Sequence, residues 1–171
     1  DSISAVALIR AYRLRGHLLA DLDPLEMRES EYLDELHPEF YGFKKENYEK
    51  KIFLNGVINR KYANIREILK FMKRTYCGKI GYEFMHISNP VERKWFRDRI
   101  EQDKNALQFT KNGKEAILNK LVQAEGFEKF LAAKYVGTKR FGLDGGESLI
   151  PALEQIIKIG GQNNIKEVKI G

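Results

Sequence analysis

The chain has 171 residues, of which 43% are hydrophobic and 32% are charged, and 30 Lys and Arg against 24 Asp and Glu give it a formal net charge of +6. This composition predicts a globular chain with a sizeable core and excludes a disordered tail. Its single cysteine, Cys77, excludes an internal disulfide and a multi-cysteine zinc site. No apolar run is long enough to cross a bilayer, and the first residues carry no signal-peptide pattern, so we predict neither membrane insertion nor secretion.

The basic residues are interspersed with acidic ones, as in Lys44-Lys45-Glu46 and Glu92-Arg93-Lys94. A nucleic-acid-binding surface needs clustered cations, because they must neutralise neighbouring phosphates. We therefore interpret most of these charges as solvated helix faces and predict no nucleic-acid partner.

The first predicted element is a helix at the start of the chain. Its apolar residues recur at steps of three and four, the spacing of one helix face, and Arg10 and Arg13 lie off that face. The residues of the predicted face are Ile3, Ala7, Ala11, Leu14 and Leu18. Because the chain begins inside this helix pattern and without an initiating Met, we expect a piece of a longer protein.

The next stretch, residues 21–43, is predicted to be irregular but ordered. It contains Asp23-Pro24, His37-Pro38 and Gly42, and the fixed backbone of proline interrupts a helix. Its aromatic residues indicate that it packs against the body of the protein.

Two helices in the middle of the chain have clear N-terminal signals. Asn64-Ile65-Arg66-Glu67 has the pattern of a capping box, and the helix that it begins is expected to stop at Gly78. Ser88-Asn89-Pro90-Val91-Glu92 begins a second helix by the same logic. The link between them, residues 79–87, is either a short strand or an extended segment.

The sequence pattern of the last third of the chain predicts further helices and a strand. The apolar spacing over residues 111–135 fits two helices or one helix kinked at Gly126. A final helix is expected to start close to Glu147 and to end at Gly160-Gly161, and Val168-Lys169-Ile170-Gly171 has the pattern of a strand.

Few residues have the spacing of a catalytic or metal site. His17, His37 and His86 lie far apart, so we interpret each of them as a capping or packing residue. Cys77 lies late on an apolar helix with no neighbour that would lower its pKa, and we interpret it as a small apolar residue.

The most informative segment combines cations, glycines and a helix start. Lys139 and Arg140 could bind a phosphate or a carboxylate, and the glycines around them would let backbone amides approach a ligand. Alternatively, Asp144-Gly145-Gly146-Glu147 is a capping box, with Arg140 in a salt bridge and Phe141 in the core. The residues alone leave both interpretations open.

A longer pattern, from Tyr135 to Glu147, resembles the decarboxylating, thiamine diphosphate-dependent component of the 2-oxoglutarate dehydrogenase complex. Four further segments resemble the same family in the same order, which makes a chance match implausible. They are Ala11-Tyr12-Arg13-Leu14-Arg15-Gly16-His17-Leu18, Phe53-Leu54-Asn55-Gly56, Tyr82-Glu83-Phe84-Met85-His86-Ile87 and Ala124-Glu125-Gly126-Phe127-Glu128.

The resemblance implies a mostly α fold with short strands. Residues 1–103 would form a helical domain, and residues 104–171 would form the incomplete start of the first thiamine diphosphate-binding α/β domain. The resemblance also implies that Arg140 contacts thiamine diphosphate and that Phe141 lines the 2-oxo acid pocket. The Mg²⁺ ligands and catalytic histidines of the family would lie outside this amino-terminal fragment, which is therefore expected to be inactive alone.

By the same resemblance, the intact enzyme decarboxylates 2-oxoglutarate and transfers the succinyl group to a lipoyl group, a step of the tricarboxylic acid cycle. Its implied partners are a second copy of itself and dihydrolipoyl succinyltransferase, in the bacterial cytoplasm or the mitochondrial matrix. Two alternatives stay open. One is a sister dehydrogenase for another 2-oxo acid such as 2-oxoadipate, and the other is a basic helical binding module without a catalytic role.

Overall fold

A computed structural model describes residues 1–27, 29, 31–102 and 109–171 of the chain. The chain divides into two compact units, Asp1–Ala106 and Leu107–Gly171, called below the first and the second unit. Their correspondence to the predicted enzyme domains, 1–103 and 104–171, stays a prediction.

The described residues are mostly helical with very short strands, which confirms the fold class at that level. The helices are α1 (Ser2–Arg15), α2 (Ile65–Tyr76), α3 (Pro90–Ile100), α4 (Lys111–Lys134) and α5 (Leu149–Gln162). The strands β1 (Ile52–Phe53) and β2 (Tyr62–Ala63) pair antiparallel. Short 3₁₀ turns lie at Gly16–Leu19, Asp34–Leu36, Pro38–Tyr41 and Lys45–Asn47.

Helix α1 forms as predicted, but it buries a different face. Ile3 and Leu14, both on the predicted face, are 87% and 52% exposed. The prediction was wrong because apolar residues surround most of this helix, so two faces have helical spacing and tertiary packing selects one of them. The apolar residues that α1 buries are Ala5, Leu8, Ile9 and Tyr12.

Arg13, predicted to lie off the buried face, is buried in an ion-pair cluster. Its Nε donates to Glu101 Oε1 at 2.7 Å, and its Nη2 donates to Glu101 Oε2 at 2.8 Å and to Val57 O at 2.7 Å. Tyr76 Oη also donates to Glu101 Oε1, at 2.7 Å. This Arg13–Glu101 cluster joins α1 to the residue that ends α3 through a bidentate, charge-assisted pair.

Helix α2 begins at the predicted capping box. Asn64 Oδ1 accepts a hydrogen bond from the Glu67 amide, and Glu67 Oε2 accepts one from the Asn64 amide, both at 2.9 Å. The helix ends at Tyr76, just before the predicted stop at Gly78. A Cβ at Gly16 would lie 2.7 Å from Tyr76 Cβ, so only glycine allows the end of α1 to pass this close to α2.

The core of the first unit draws on α1, α2 and the connecting segments. Residues 21–43 are irregular, as predicted, and pack through Leu36 and Phe43, while Arg28 and Ser30 lie outside the described residues. The buried apolar residues are Ala5, Leu8, Ile9, Tyr12, Leu36, Phe43, Ile52, Leu54, Ile58, Ala63, Ile65, Ile68, Phe71, Met72, Tyr76, Phe84 and Ile100.

The β1–β2 hairpin was not predicted. Asn55 and Gly56 have φ angles of 49° and 81°, and the Gly56 amide donates to Arg60 O at 3.1 Å. An Asn-Gly pair tolerates this left-handed backbone and occupies a turn in which the Val57 amide donates to Leu54 O at 3.0 Å. Residues 54–61 connect the two strands, so this turn signal alone does not predict which segments pair.

The link over residues 79–87 is not a strand; it includes a turn in which the Ile87 amide donates to Phe84 O at 3.1 Å, and it leads into α3. Asn89 Oδ1 accepts from the Val91 amide at 2.9 Å, with Pro90 in the first turn, which confirms the predicted start of this helix. Trp95 and Phe96 are 62% and 41% exposed and meet edge to face with ring centroids 5.1 Å apart.

In the second unit, α4 is one continuous helix through Gly126, so the two-helix alternative is wrong, and the kink at Gly126 stays a prediction. Helix α5 continues through Gly160-Gly161 to Gln162, and the predicted end at that glycine pair was wrong. Asn164, with a φ of 63°, takes the left-handed conformation that ends the helix, and the Ile165 amide donates back to Gly160 O at 2.9 Å.

The strand predicted at residues 168–171 was also wrong. Residues 165–171 have no regular secondary structure. A strand is stable only beside another strand that takes its backbone hydrogen bonds, and none pairs with this segment in the described part of the chain.

The second unit has almost no fully buried residue. Over residues 109–171, Gly160 is the only buried residue. Because hydrophobic stabilisation is proportional to the apolar area removed from water, this unit gains little of it from its own side chains. Its exposed large apolar residues include Leu118, Val122, Phe127, Phe130, Val136, Phe141, Ile156 and Ile170.

We expect high pH to destabilise the first unit, because two of its buried residues are tyrosines. Burial raises the pKa of Tyr12 and of Tyr76 well above the ordinary value of 10.0, and the Glu101 carboxylate raises the pKa of Tyr76 further. An unfolded tyrosine loses its proton near pH 10, so the stabilisation from these protons is complete below about pH 10 and is lost as the pH rises above it. Denaturant titrations followed by circular dichroism at increasing pH measure this loss. If the free energy of unfolding of the double variant Tyr12→Phe, Tyr76→Phe fell as steeply with pH, the two tyrosines would not be the cause of the loss.

Candidate functional site

The segment predicted to bind a ligand forms the turn between α4 and α5, residues 135–148, called below the 135–148 turn. It begins where α4 ends, with the Tyr135 amide donating to Leu131 O at 3.0 Å. Gly137 then adopts a φ of 82°, which lets the chain reverse its direction. The turn runs back along α4 and is held to it at two places.

Arg140 makes the first of these two attachments. Its Nη1 donates to Leu131 O at 3.3 Å and to Tyr135 O at 3.2 Å. The C-terminal end of a helix carries partial negative charge, so a cation is favoured there, and these two carbonyl oxygens accept from Arg140 in addition to their backbone bonds. These two bonds position the guanidinium. Because the side chain is exposed, it is also accessible to a ligand.

Phe141 follows Arg140 and is 95% exposed. The alternative that placed Phe141 in the core and Arg140 in a salt bridge is wrong, because the bonds described for Arg140 run to backbone carbonyls. Lys139 is exposed on the same turn. The turn therefore presents a cation and, at the next residue, an aromatic ring at the surface of the second unit, and their roles toward cofactor and substrate stay predictions.

Glu128 makes the second attachment. The Leu143 amide donates to Glu128 Oε1 at 2.8 Å, and a Cβ at Gly142 would lie 3.0 Å from Glu128 Oε2. Both Glu128 and Leu143 are half-buried. Glu128 belongs to one of the segments that carry the resemblance, but the sequence predicts no role for it, since nothing in the sequence places it opposite a residue fifteen positions later.

The capping box predicted at Asp144–Glu147 does not begin α5. The helix starts at Leu149, and its N-cap Ser148 makes no side-chain capping bond. Instead, Glu147 Oε1 accepts from the Gly145 amide at 3.2 Å, and Gly145 has a φ of 81°. These residues shape the end of the 135–148 turn.

Similar proteins match the chain from end to end. The 2-oxoglutarate dehydrogenase E1 components of Brucella canis, Brucella suis and Brucella abortus are each 58% identical to it over 173 residues, which cover 100% of this chain and 17% of each relative. The chain is homologous to the 2-oxoglutarate dehydrogenase E1 component. This finding confirms the resemblance seen in the sequence, and the matched region lies in the amino-terminal part of the E1 component. No family model matches the chain.

The chain spans 17% of the length of these E1 relatives. Two of the five segments that carry the resemblance meet in the second unit, where Glu128 of one binds the Leu143 amide of the other. The other three segments belong to the first unit.

The three histidines do not come together. His37 stacks on Tyr32 with ring centroids 4.3 Å apart, and His86 is exposed. His17 Nε2 lies 3.8 Å from a Glu83 carboxylate oxygen, and its buried Nδ1 has no hydrogen-bond partner within the described residues. The described residues contain no group of three or more His, Cys, Asp or Glu side chains that could hold a metal ion.

Cys77 is half-buried at the end of α2, and burial raises the pKa of its thiol. A raised pKa reduces the thiolate fraction, which is consistent with its interpretation as a small apolar residue. Over the described ranges, every helix is too short or too polar to cross a membrane.

Proposed function

We propose that the chain is a piece of a 2-oxo acid dehydrogenase that decarboxylates 2-oxoglutarate with thiamine diphosphate and passes the succinyl group to a lipoyl group of its acyltransferase partner. The observation that carries this proposal is the identity of 58% over the whole chain to E1 components of 2-oxoglutarate dehydrogenase. The expected partners are a second copy of the enzyme and dihydrolipoyl succinyltransferase, in the cytoplasm of a bacterial source or in the mitochondrial matrix.

The 135–148 turn fits one side of a diphosphate site. Arg140 holds a fixed, accessible guanidinium, whose fork of N–H groups suits phosphate oxygens by charge and geometry. Lys139 adds a second exposed cation. Thiamine diphosphate, when bound, supplies the electron sink for decarboxylation. The role proposed for Arg140 is to bind and orient the diphosphate.

Phe141 is proposed to form a wall of the 2-oxo acid pocket and to exclude water from it. Its ring is 95% exposed in this chain, so other parts of the full-length polypeptide would have to cover it. The Mg²⁺ ligands and the catalytic residues are likewise expected outside residues 1–171. The piece would then supply a cofactor-binding and a substrate-binding residue but no catalytic one.

The poor burial of the second unit supports its proposed place as the incomplete start of a thiamine diphosphate-binding α/β domain. Apolar residues on α4 and α5, such as Phe130 and Ile156, are more than half exposed. In a complete α/β domain, helices of this kind cover a sheet. The first unit, with its own core, would be the preceding helical domain.

The experiment that tests the function is an assay of the full-length polypeptide that contains this chain. With thiamine diphosphate and Mg²⁺ present, we expect kcat/KM to be highest for 2-oxoglutarate within a panel of 2-oxo acids. A preference for 2-oxoadipate would favour the sister enzyme instead. Turnover of no 2-oxo acid would contradict the proposal, whereas the 171-residue chain alone is expected to be inactive.

A further inference from the structure

The 135–148 turn is fastened to α4 on both sides of Phe141. On one side, Arg140 donates to the carbonyls of Leu131 and Tyr135. On the other side, the Leu143 amide donates to Glu128 Oε1 at 2.8 Å. Only Phe141 and Gly142 lie between the two attachments, so a change at either one alters how the cation and the ring are presented.

Both attachments lie near the C-terminal end of α4. Glu128 and Leu131 are three residues apart in the sequence, so the carboxylate and the carbonyl come from residues within about one helical turn of each other. A short segment held at two fixed points has little conformational freedom left to lose when a ligand binds.

Gly142 lets the turn approach the carboxylate. A Cβ on this residue would lie 3.0 Å from Glu128 Oε2 and 3.3 Å from Glu128 Cδ, closer than ordinary contacts allow. The amide-to-carboxylate bond is charge-assisted and partly shielded from water, and both conditions strengthen it. Glu128 thus acts on the turn through the Leu143 backbone.

We infer that Glu128 is a positioning residue for the Arg140–Phe141 pair, which rests on the function proposed above. Glu128 does not contact cofactor or substrate in this account. It fixes the far end of the turn, so that the guanidinium and the ring are already arranged when thiamine diphosphate arrives. Because these side chains are already arranged, binding costs less conformational entropy, and the cofactor binds more tightly.

The test uses the full-length polypeptide with Glu128→Ala, with Glu128→Gln, which keeps an acceptor oxygen, and with Glu125→Ala as matched control. Glu125 lies on the same helix and pairs only at the surface, with Lys129. Amide hydrogen exchange at Leu143, measured without cofactor, reports whether the bond from its amide to Glu128 is formed. Equilibrium titration gives the dissociation constant of thiamine diphosphate. Exchange at α4 amides shows that the helix stays folded in every variant.

For Glu128→Ala we expect Leu143 to exchange about ten-fold faster and the dissociation constant to rise about ten-fold, with most of both effects restored in Glu128→Gln. The control is expected to match the wild type in both measurements. Unchanged exchange at Leu143 would overturn the attachment itself, whatever the protein binds. Faster exchange with an unchanged dissociation constant would overturn the positioning role, whereas wild-type protein that fails to bind thiamine diphosphate would overturn the proposed function together with this inference.

Discussion

Replacing Glu101 with alanine is expected to lower the free energy of unfolding of the first unit by about 3–5 kcal/mol. The Arg13 guanidinium would stay buried without the carboxylate that its Nε and Nη2 bind, and the Tyr76 hydroxyl would lose its acceptor. Glu101 is 5% exposed and Arg13 is 9% exposed, so water can replace little of the lost interaction. The effect should therefore far exceed that of a surface ion pair.

Amide hydrogen exchange in α1 measures this loss as a change in the free energy of opening. Asp98→Ala is the matched control, because it removes a nearby carboxylate whose partners Lys94 and Arg97 are not fully buried, and it is expected to cost less than about 1 kcal/mol. The double variant Arg13→Met, Glu101→Leu removes both buried charges and should recover most of the loss. If Glu101→Ala cost no more than Asp98→Ala, the cluster would not stabilise the unit as described.

Local chemistry explains why several elements were predictable. The starts of α2 and α3 depend on capping bonds of Asn64, Glu67 and Asn89, which join residues at most three positions apart, and on the fixed backbone of Pro90. Such signals need no knowledge of the rest of the fold. The turn at Asn55-Gly56 is of the same local kind and could have been predicted, although the pairing of β1 with β2 could not.

Features that depend on distant partners were not predictable. The buried face of α1 is selected by packing, because its apolar residues satisfy helical spacing on two faces. The burial of Arg13 depends on Glu101, which lies 88 positions away in the sequence. The end of α5 was missed for a local reason, since Asn164 takes the left-handed position and the glycine pair stays helical.

The candidate site was predictable in its residues and not in its geometry. The cations and glycines of the 135–148 turn were visible in the sequence, and the resemblance gave Arg140 and Phe141 their predicted roles. Neither showed that Arg140 caps the end of α4 or that Glu128 holds Leu143. Those contacts arise because the turn folds back along the helix that precedes it.

Replacing Arg140 with alanine in the full-length polypeptide is expected to weaken thiamine diphosphate binding by about 10- to 100-fold, because a hydrogen bond to a charged group contributes about 1.5–3 kcal/mol. Arg140→Lys keeps the charge but loses the fork of N–H donors, so it should give a smaller loss. Lys129→Ala is the matched control, since it removes an exposed cation of α4 that pairs with Glu125. It is expected to bind thiamine diphosphate as the wild type does.

The most direct measurement is therefore an equilibrium titration of thiamine diphosphate, with Mg²⁺ present, into full-length wild type, Arg140→Ala and Lys129→Ala. We expect the dissociation constant to rise in Arg140→Ala alone, with unchanged amide exchange in α4 showing that the protein is folded. Equal dissociation constants for the three proteins would contradict the assignment of Arg140, and with it the role proposed for the 135–148 turn.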